Sequence, residues 1–157
     1  RDITDSLTSE YAIKDNLQEE MLRILLKRFI ILCTRIAREK FSVSPEREKA
    51  FDMVRQFYVL VDNHFKEKKM VQDYANMLHR SPKTLSNLFT TCGLPSPLRI
   101  IHERIEAEAK RLLLYSQKSA KEITEILGFE DQATFSRFFK KMTGESVSEY
   151  RKREKQE

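Results

Sequence analysis

One stretch constrains the fold more than the rest of this 157-residue chain. It runs from Ser119 to Arg151 and reads S-A-K-E-I-T-E-I-L-G-F-E-D-Q-A-T-F-S-R-F-F-K-K-M-T-G-E-S-V-S-E-Y-R. The chain has only 3 glycines, so the two that fall here, Gly128 and Gly144, act as punctuation. Ser119-x-x-Glu122 is a capping box and starts a helix. Ile123, Ile126 and Leu127 form one apolar stripe on it. Gly128 takes a left-handed backbone without a side-chain penalty and ends it. Asp131 is a good N-cap for a second helix over 132–142. Phe135, Phe138, Phe139 and Met142 recur at helical spacing and face inward. Gln132, Ala133, Ser136, Arg137, Lys140 and Lys141 are left outside. Gly144 closes this helix, and Ser146-x-x-Glu149 caps a last one through Tyr150 and Arg151.

A short helix, a tight turn and a second helix with a polar, basic outer face describe a helix-turn-helix. The residue types on that face suit DNA. Glutamine pairs bidentately with adenine and arginine with guanine, while hydroxyls and lysines meet phosphates. A solvated helical hairpin would explain the charge alone. It would not require the two glycines together with the Gln/Ser/Arg face.

The same residues resemble the signature of the AraC/XylS family of bacterial transcription regulators. The likeness runs through Leu127-Gly128-Phe129, Asp131, Phe135-Ser136-Arg137, Phe139-Lys140-Lys141, Gly144, Ser146 and Tyr150-Arg151. It departs at Val147, where the family usually has proline. The resemblance implies an all-α fold with two helix-turn-helix units joined by a connecting helix.

Composition agrees with a helical chain. Only 3 Gly and 4 Pro accompany 40% hydrophobic and 34% charged residues, too few turn residues for a sheet protein. No apolar run approaches the roughly 20 residues of a membrane span. The net charge of +5 is compatible with nucleic acid without requiring it. Cys33 and Cys92 are isolated, which fits a reducing cytoplasm, and the resemblance to a bacterial regulator implies a cytoplasmic, nucleoid-associated location. His64, His79 and His102 have no metal spacing with the cysteines, and no Gly-rich phosphate loop is present. An enzyme, a metal and a cofactor are therefore not expected.

Taken in order, residues 1–9 read as a polar linker. Residues 10–40 contain no Gly or Pro and read as one long amphipathic helix. Its broad face carries Ile13, Leu17, Met21, Ile24, Leu25, Phe29, Leu32 and Ile36, widened by Leu22, Leu26, Ile30 and Cys33. Such a stripe calls for a partner: a second copy through residues 10–40, an N-terminal domain outside this chain, which the resemblance implies is effector-binding, or the chain's own domain. Residues 1–44 thus form a linker and interdomain segment, and residues 45–157 the DNA-binding domain. Phe41 to Ser44 is a connection, and Ser44-Pro45 starts a helix with Ala50, Phe51, Val54, Tyr58, Val61 and Phe65 on its stripe and Phe57 beside them. Lys66 to Lys69 reads as a solvated turn.

The first helix-turn-helix spans 70–93 and the second 119–144. In the first, Val71, Tyr74, Ala75 and Leu78 point inward from a helix over Met70 to His79. Ser81-Pro82 starts a second helix with Leu85, Leu88 and Phe89 inside, and Gly93 ends it. Here Ala75, Ser81-Pro82, Leu85 and Phe89 resemble the family's first unit, with one residue more than usual before Ser96-Pro97. A helix from Pro97 to Tyr115 connects the units, and its ~28 Å keeps them rigidly apart. After Tyr150 the mixed-charge tail reads as disordered or phosphate-touching.

The expected partner is double-stranded DNA, read in two adjacent major-groove segments. The base-reading set is Gln132, Ala133, Ser136 and Arg137 in the second unit and Lys83, Ser86 and Asn87 in the first. The phosphate set is Thr84, Thr90, Thr134, Lys140 and Lys141. The alternative is a protein-interaction module whose working surface is the 10–40 helix and whose DNA-binding fold is degenerate.

Overall fold

The computed structural model describes residues 3–40 and 44–154, and all regular structure among them is helical. Expectations for residues 41–43 and 155–157 lie outside these residues, while the tail expected to be disordered after Tyr150 is corrected over residues 151–154, which continue the last helix, Val147–Glu154. The chain divides into two compact units, one ending at Arg47 and one starting at Glu48.

The first unit holds α1 (Ile3–Ala12) and α2 (Gln18–Lys40), which pack together. The single helix expected from Glu10, and the linker expected before it, are corrected: two helices meet at a break over residues 13–17. Asp15 explains the break. Its carboxylate accepts the Leu17 N–H at 2.9 Å, and Gln18 Nε2 donates back to the Glu10 and Tyr11 carbonyls at 3.2 and 3.0 Å. Local side-chain bonds of this kind compete with the helix ladder, so a helix can end without glycine or proline. Leu22, Leu25 and Leu32 of α2 are half-buried, while Met21, Ile24, Phe29, Ile30 and Ile36 stay exposed.

The second unit holds α3 (Pro45–His64) from Glu48 onward. Its core face is Val54, Phe57, Val61 and the following Phe65. Val54, Val61 and Phe65 of the expected stripe are buried, but Phe57, expected beside it, is 0% exposed, whereas Phe51 and Tyr58, expected on it, are 45% and 40% exposed. Positions 54, 57 and 61 keep three-and-four spacing, and the Phe51 and Tyr58 rings lie on the flank of that line. Phe57 meets Tyr74 and Phe89 with ring centroids 5.5 and 5.0 Å apart, which joins α3 to both helices of the first helix-turn-helix.

Those helices are α4 (Val71–Met77) and α5 (Pro82–Thr91). The connecting α6 (Pro97–Tyr115) buries Ile100, Ile101, Ile105, Ala109, Leu112 and Leu113. Leu98, expected inside, is exposed. Then come α7 (Ala120–Ile126), α8 (Gln132–Thr143) and α9 (Val147–Glu154). α6 touches α4 and α5 on one side and α7, α8 and α9 on the other, so one core runs through it. In the second unit Phe129, Phe135, Phe138, Phe139 and Tyr150 form a chain of ring contacts at 5.3–6.0 Å. Truncating a buried phenylalanine of this kind costs ~3–5 kcal/mol.

Candidate nucleic-acid interface

The two units are built by the same backbone device. In the second, the C-cap Leu127 is followed by Gly128 at φ +68°. The Gly128 N–H donates to the Glu125 carbonyl and the Phe129 N–H to the Thr124 carbonyl, both at 3.0 Å. That pair of bonds is a Schellman turn. In the first unit the C-cap is Leu78, and the left-handed position falls on His79 at φ +53°. His79 N–H donates to the Asn76 carbonyl at 3.1 Å and Arg80 N–H to the Ala75 carbonyl at 2.8 Å. A left-handed non-glycine is uncommon, though histidine tolerates it better than most. The missing glycine is why the first unit is harder to see in the sequence.

Each second helix starts on a side-chain cap. Ser81 Oγ accepts the Thr84 N–H at 3.1 Å, and an Asp131 carboxylate oxygen accepts the Thr134 N–H at 2.7 Å. Capping bonds of this type stabilise by ~1 kcal/mol each. Hydrogen bonds from the Thr134 backbone and hydroxyl hold the Asp131 carboxyl below its ordinary range. The capping boxes at Ser119–Glu122 and Ser146–Glu149 fix α7 and α9 in the same way, with the reciprocal Ser119 and Ser146 N–H bonds at 2.8 and 2.7 Å.

On α8, Phe135 and Phe139 are fully buried, and Gln132, Ala133, Arg137, Lys140 and Lys141 are exposed. Ser136 and Thr134 are half-buried. On α5, Leu85 and Phe89 are fully buried, and Lys83, Thr84, Ser86, Asn87 and Thr90 are exposed. Each candidate set therefore stands on the side of its helix away from the core.

The hydroxyls are not equally available. Thr90 donates to the Ser86 carbonyl at 2.9 Å, and Thr84 shares a 2.8 Å bond with the Ser81 cap. The Thr134 hydroxyl donates to Asp131 at 3.0 Å and accepts from the Arg137 guanidinium at 3.3 Å. A phosphate oxygen only accepts, so Thr134 would have to leave Asp131 to contact one. Sequence reading found Asp131 as a cap but missed its line to Arg137 through Thr134. The signal was present, since 131, 134 and 137 share one side of a helix.

The Lys66 to Lys69 segment, expected to be a solvated turn, has Lys66 and Glu67 exposed in a turn but is corrected at its end. Lys69 is half-buried, and its ammonium lies 5.1 Å from the centre of the Phe129 ring. Burial pushes the Lys69 amine below its ordinary range. Among the described residues no cluster of His, Cys, Asp and Glu could hold a metal, and no helix is long and apolar enough to cross a membrane. Cys33 and Cys92 are free, the first exposed and the second half-buried.

Two helix pairs with matching turns, each presenting a polar helix, find their counterpart among known proteins. A family model described as a helix-turn-helix domain matches residues 74–153, from α4 to the end of α9. The arabinose operon regulatory protein of Salmonella typhimurium is 36% identical over 92 residues, 59% of this chain and 31% of that protein. The chain belongs to the AraC/XylS family of transcription regulators. The uncharacterized HTH-type transcriptional regulator YisR of Bacillus subtilis is 30% identical over 122 residues, 77% of this chain and 41% of that protein. The C-terminal domain of AraT, a response regulator from Geobacillus stearothermophilus, superposes with a TM-score of 0.59 at 28% identity. That superposition covers 70% of this chain and 86% of that domain. The chain spans less than half the length of the curated relatives it matches. As an AraC/XylS-type chain it carries the family's DNA-binding helix-turn-helix domain.

Proposed function

We propose that this chain reads two adjacent major-groove segments of double-stranded DNA, α5 entering one and α8 the next. The supporting observation is the pair of Schellman-turned helix pairs clamped on one 19-residue helix, α6. Successive major-groove faces on one side of a duplex are ~34 Å apart. α6 is ~28 Å long and rigid, which suits that separation better than a loop would. Two units that are weak alone then bind in tandem at raised effective concentration.

In this reading Arg137 and Gln132 take base edges from α8, with Ala133 and Ser136 beside them. Lys83, Ser86 and Asn87 take them from α5. Lys140 and Lys141 meet phosphates, as do Thr84 and Thr90 once their hydroxyls turn from their internal partners. Thr134 acts through Arg137. Selecting bound duplexes from a random pool at two salt concentrations tests this. The reading predicts an enriched two-part motif that survives the higher salt. Retention without enrichment, lost steeply with salt, would leave only phosphate contacts and sink it.

The exposed apolar residues of α2 support a second element of the proposal, self-association through residues 10–40. Because the matched relatives are longer than this chain, the proposal extends to an effector-binding domain N-terminal to it, and to a cytoplasmic, nucleoid-associated regulator. The alternative of a protein-interaction module with a degenerate DNA-binding fold is not favoured, since both recognition helices and both turns are intact.

A further inference from the structure

α6 is not the only connection between the two helix-turn-helix units. The segment after α3 touches both. On its first-unit side, the Tyr74 hydroxyl of α4 donates to the Lys68 carbonyl at 2.8 Å, and the Tyr74 ring is fully buried against Phe57. On its second-unit side, the Lys66 carbonyl lies so close to Gly128 that a side-chain carbon there would sit 2.0 Å from the oxygen. Lys69 Nζ donates to that same carbonyl at 2.6 Å and stands over the Phe129 ring. Phe129 in turn meets Phe135 and Phe138 of α8, with centroids 5.4 and 5.3 Å apart. At the root of the segment, the Arg104 guanidinium of α6 stacks 4.0 Å from the centre of the Phe65 ring and bonds Asp62 at 2.7 Å.

These contacts form an unbroken path from α4 to α8 that does not use the length of α6. A helix alone fixes the distance between two units but leaves rotation about its axis to the packing at each end. A second point of attachment off that axis removes the rotation. Gly128 then serves twice: it turns the chain, and it admits the Lys66 carbonyl where any side chain would stand.

We propose that the Lys66–Lys69 segment is a strut that fixes the angle between the two recognition helices and so sets how strictly the protein demands one spacing between its half-sites. Tyr74, Lys69 and Gly128 are its positioning residues. This rests on the tandem-reading proposal. Inserting one base pair between half-sites moves the second by about 3.4 Å and turns it by about 34°, a misalignment that a rigid pair cannot follow.

The test is a spacing series: the selected duplex with one base pair added or removed between its two parts, bound by the full chain. Wild type is expected to lose on the order of 30-fold in affinity for either change, each mismatched contact being worth about 1–3 kcal/mol. Tyr74→Phe deletes only the hydroxyl, and Lys69→Met deletes only the ammonium. Both should reduce that ratio to about 5-fold or less while leaving base preferences within each half-site unchanged. Lys68→Met removes the same charge from the same segment, keeps both carbonyls, and should retain the wild-type ratio. A ratio of affinities is insensitive to general loss of charge or stability, so a merely structural role would not move it. Equal strictness in wild type, Tyr74→Phe and Lys69→Met would overturn the strut, as would a wild type already indifferent to spacing. Absence of any two-part motif in the wild-type selection would instead overturn the tandem reading beneath it.

Discussion

The Arg137 guanidinium donates to the Thr134 hydroxyl at 3.3 Å, one helical turn earlier on α8. That hydroxyl is itself oriented by Asp131, which also caps the helix through the Thr134 N–H. The cap that starts α8 is therefore coupled to the rotamer of the arginine proposed to read a guanine.

Thr134→Val keeps the shape and deletes the hydroxyl. It is expected to relax discrimination at the single base pair read by Arg137 by about 0.5–1.5 kcal/mol, the worth of one hydrogen bond. Thr134→Ser should restore it. Affinities for a set of single-base operator variants measure this. A uniform loss across all sequences would mean that Thr134 meets a phosphate instead.

Val147 stands at the first position of α9, after the Ser146 cap and before the buried Tyr150. A proline there lacks only an amide hydrogen that the first turn does not use. Val147→Pro should stabilise the domain by about 0.4–1 kcal/mol by restricting the unfolded chain. Thermal or urea unfolding would reveal it. Destabilisation would show that the packing of the valine side chain outweighs the backbone effect.

These local features were legible in the sequence because capping and turn chemistry are local. Ser81-Pro82, Ser96-Pro97, Ser119-x-x-Glu122 and Asp131 placed the starts of α5, α6, α7 and α8, and Gly128 the turn between the last two. Three things were not legible. The break after Ala12 depends on Asp15 folding back onto Leu17. The choice of Phe57 over Tyr58 for the core depends on where α4 and α5 lie, which helical spacing alone does not say. Lys66 to Lys69 looks like any charged turn until Gly128, about 60 residues later, is brought against it by the fold. The exposed sides of α5 and α8 were legible, because their buried faces are strongly periodic.

His102 of α6 packs edge-on against Phe138 of α8, with ring centroids 5.3 Å apart. It shares a surface groove with Arg99, Glu103 and Glu106 of its own helix and with Lys141 of α8. Burial, and then the Lys141 charge, push the imidazole below its ordinary value of 6.5. The fold thus favours the neutral ring. Its contribution is fully present above about pH 6.5 and is lost as pH falls through the lowered folded value. The melting temperature should therefore fall more steeply between pH 7 and 5 in wild type than in His102→Gln, about pH values that bracket the histidine range. Parallel curves would remove His102 from the account.

The exposed face of α2 leads to a prediction about assembly. Sedimentation of the full chain should show a concentration-dependent dimer, and deletion of residues 1–40 should give a monomer that still binds the selected duplex. The avidity of a dimer would be lost with it, so binding should weaken. A full chain that stays monomeric at high concentration would contradict self-association through α2.

In the proposed tandem reading, α5 and α8 lie in successive major grooves on one side of the duplex. Methylation interference on the selected duplex probes it most directly, because guanine N7 lies in the major groove. Two clusters of interfering guanines are expected, centred about 10 base pairs apart on one face. Arg137→Ala should relieve interference in one cluster only, as tandem placement requires. A single cluster, or two on opposite faces, would contradict it.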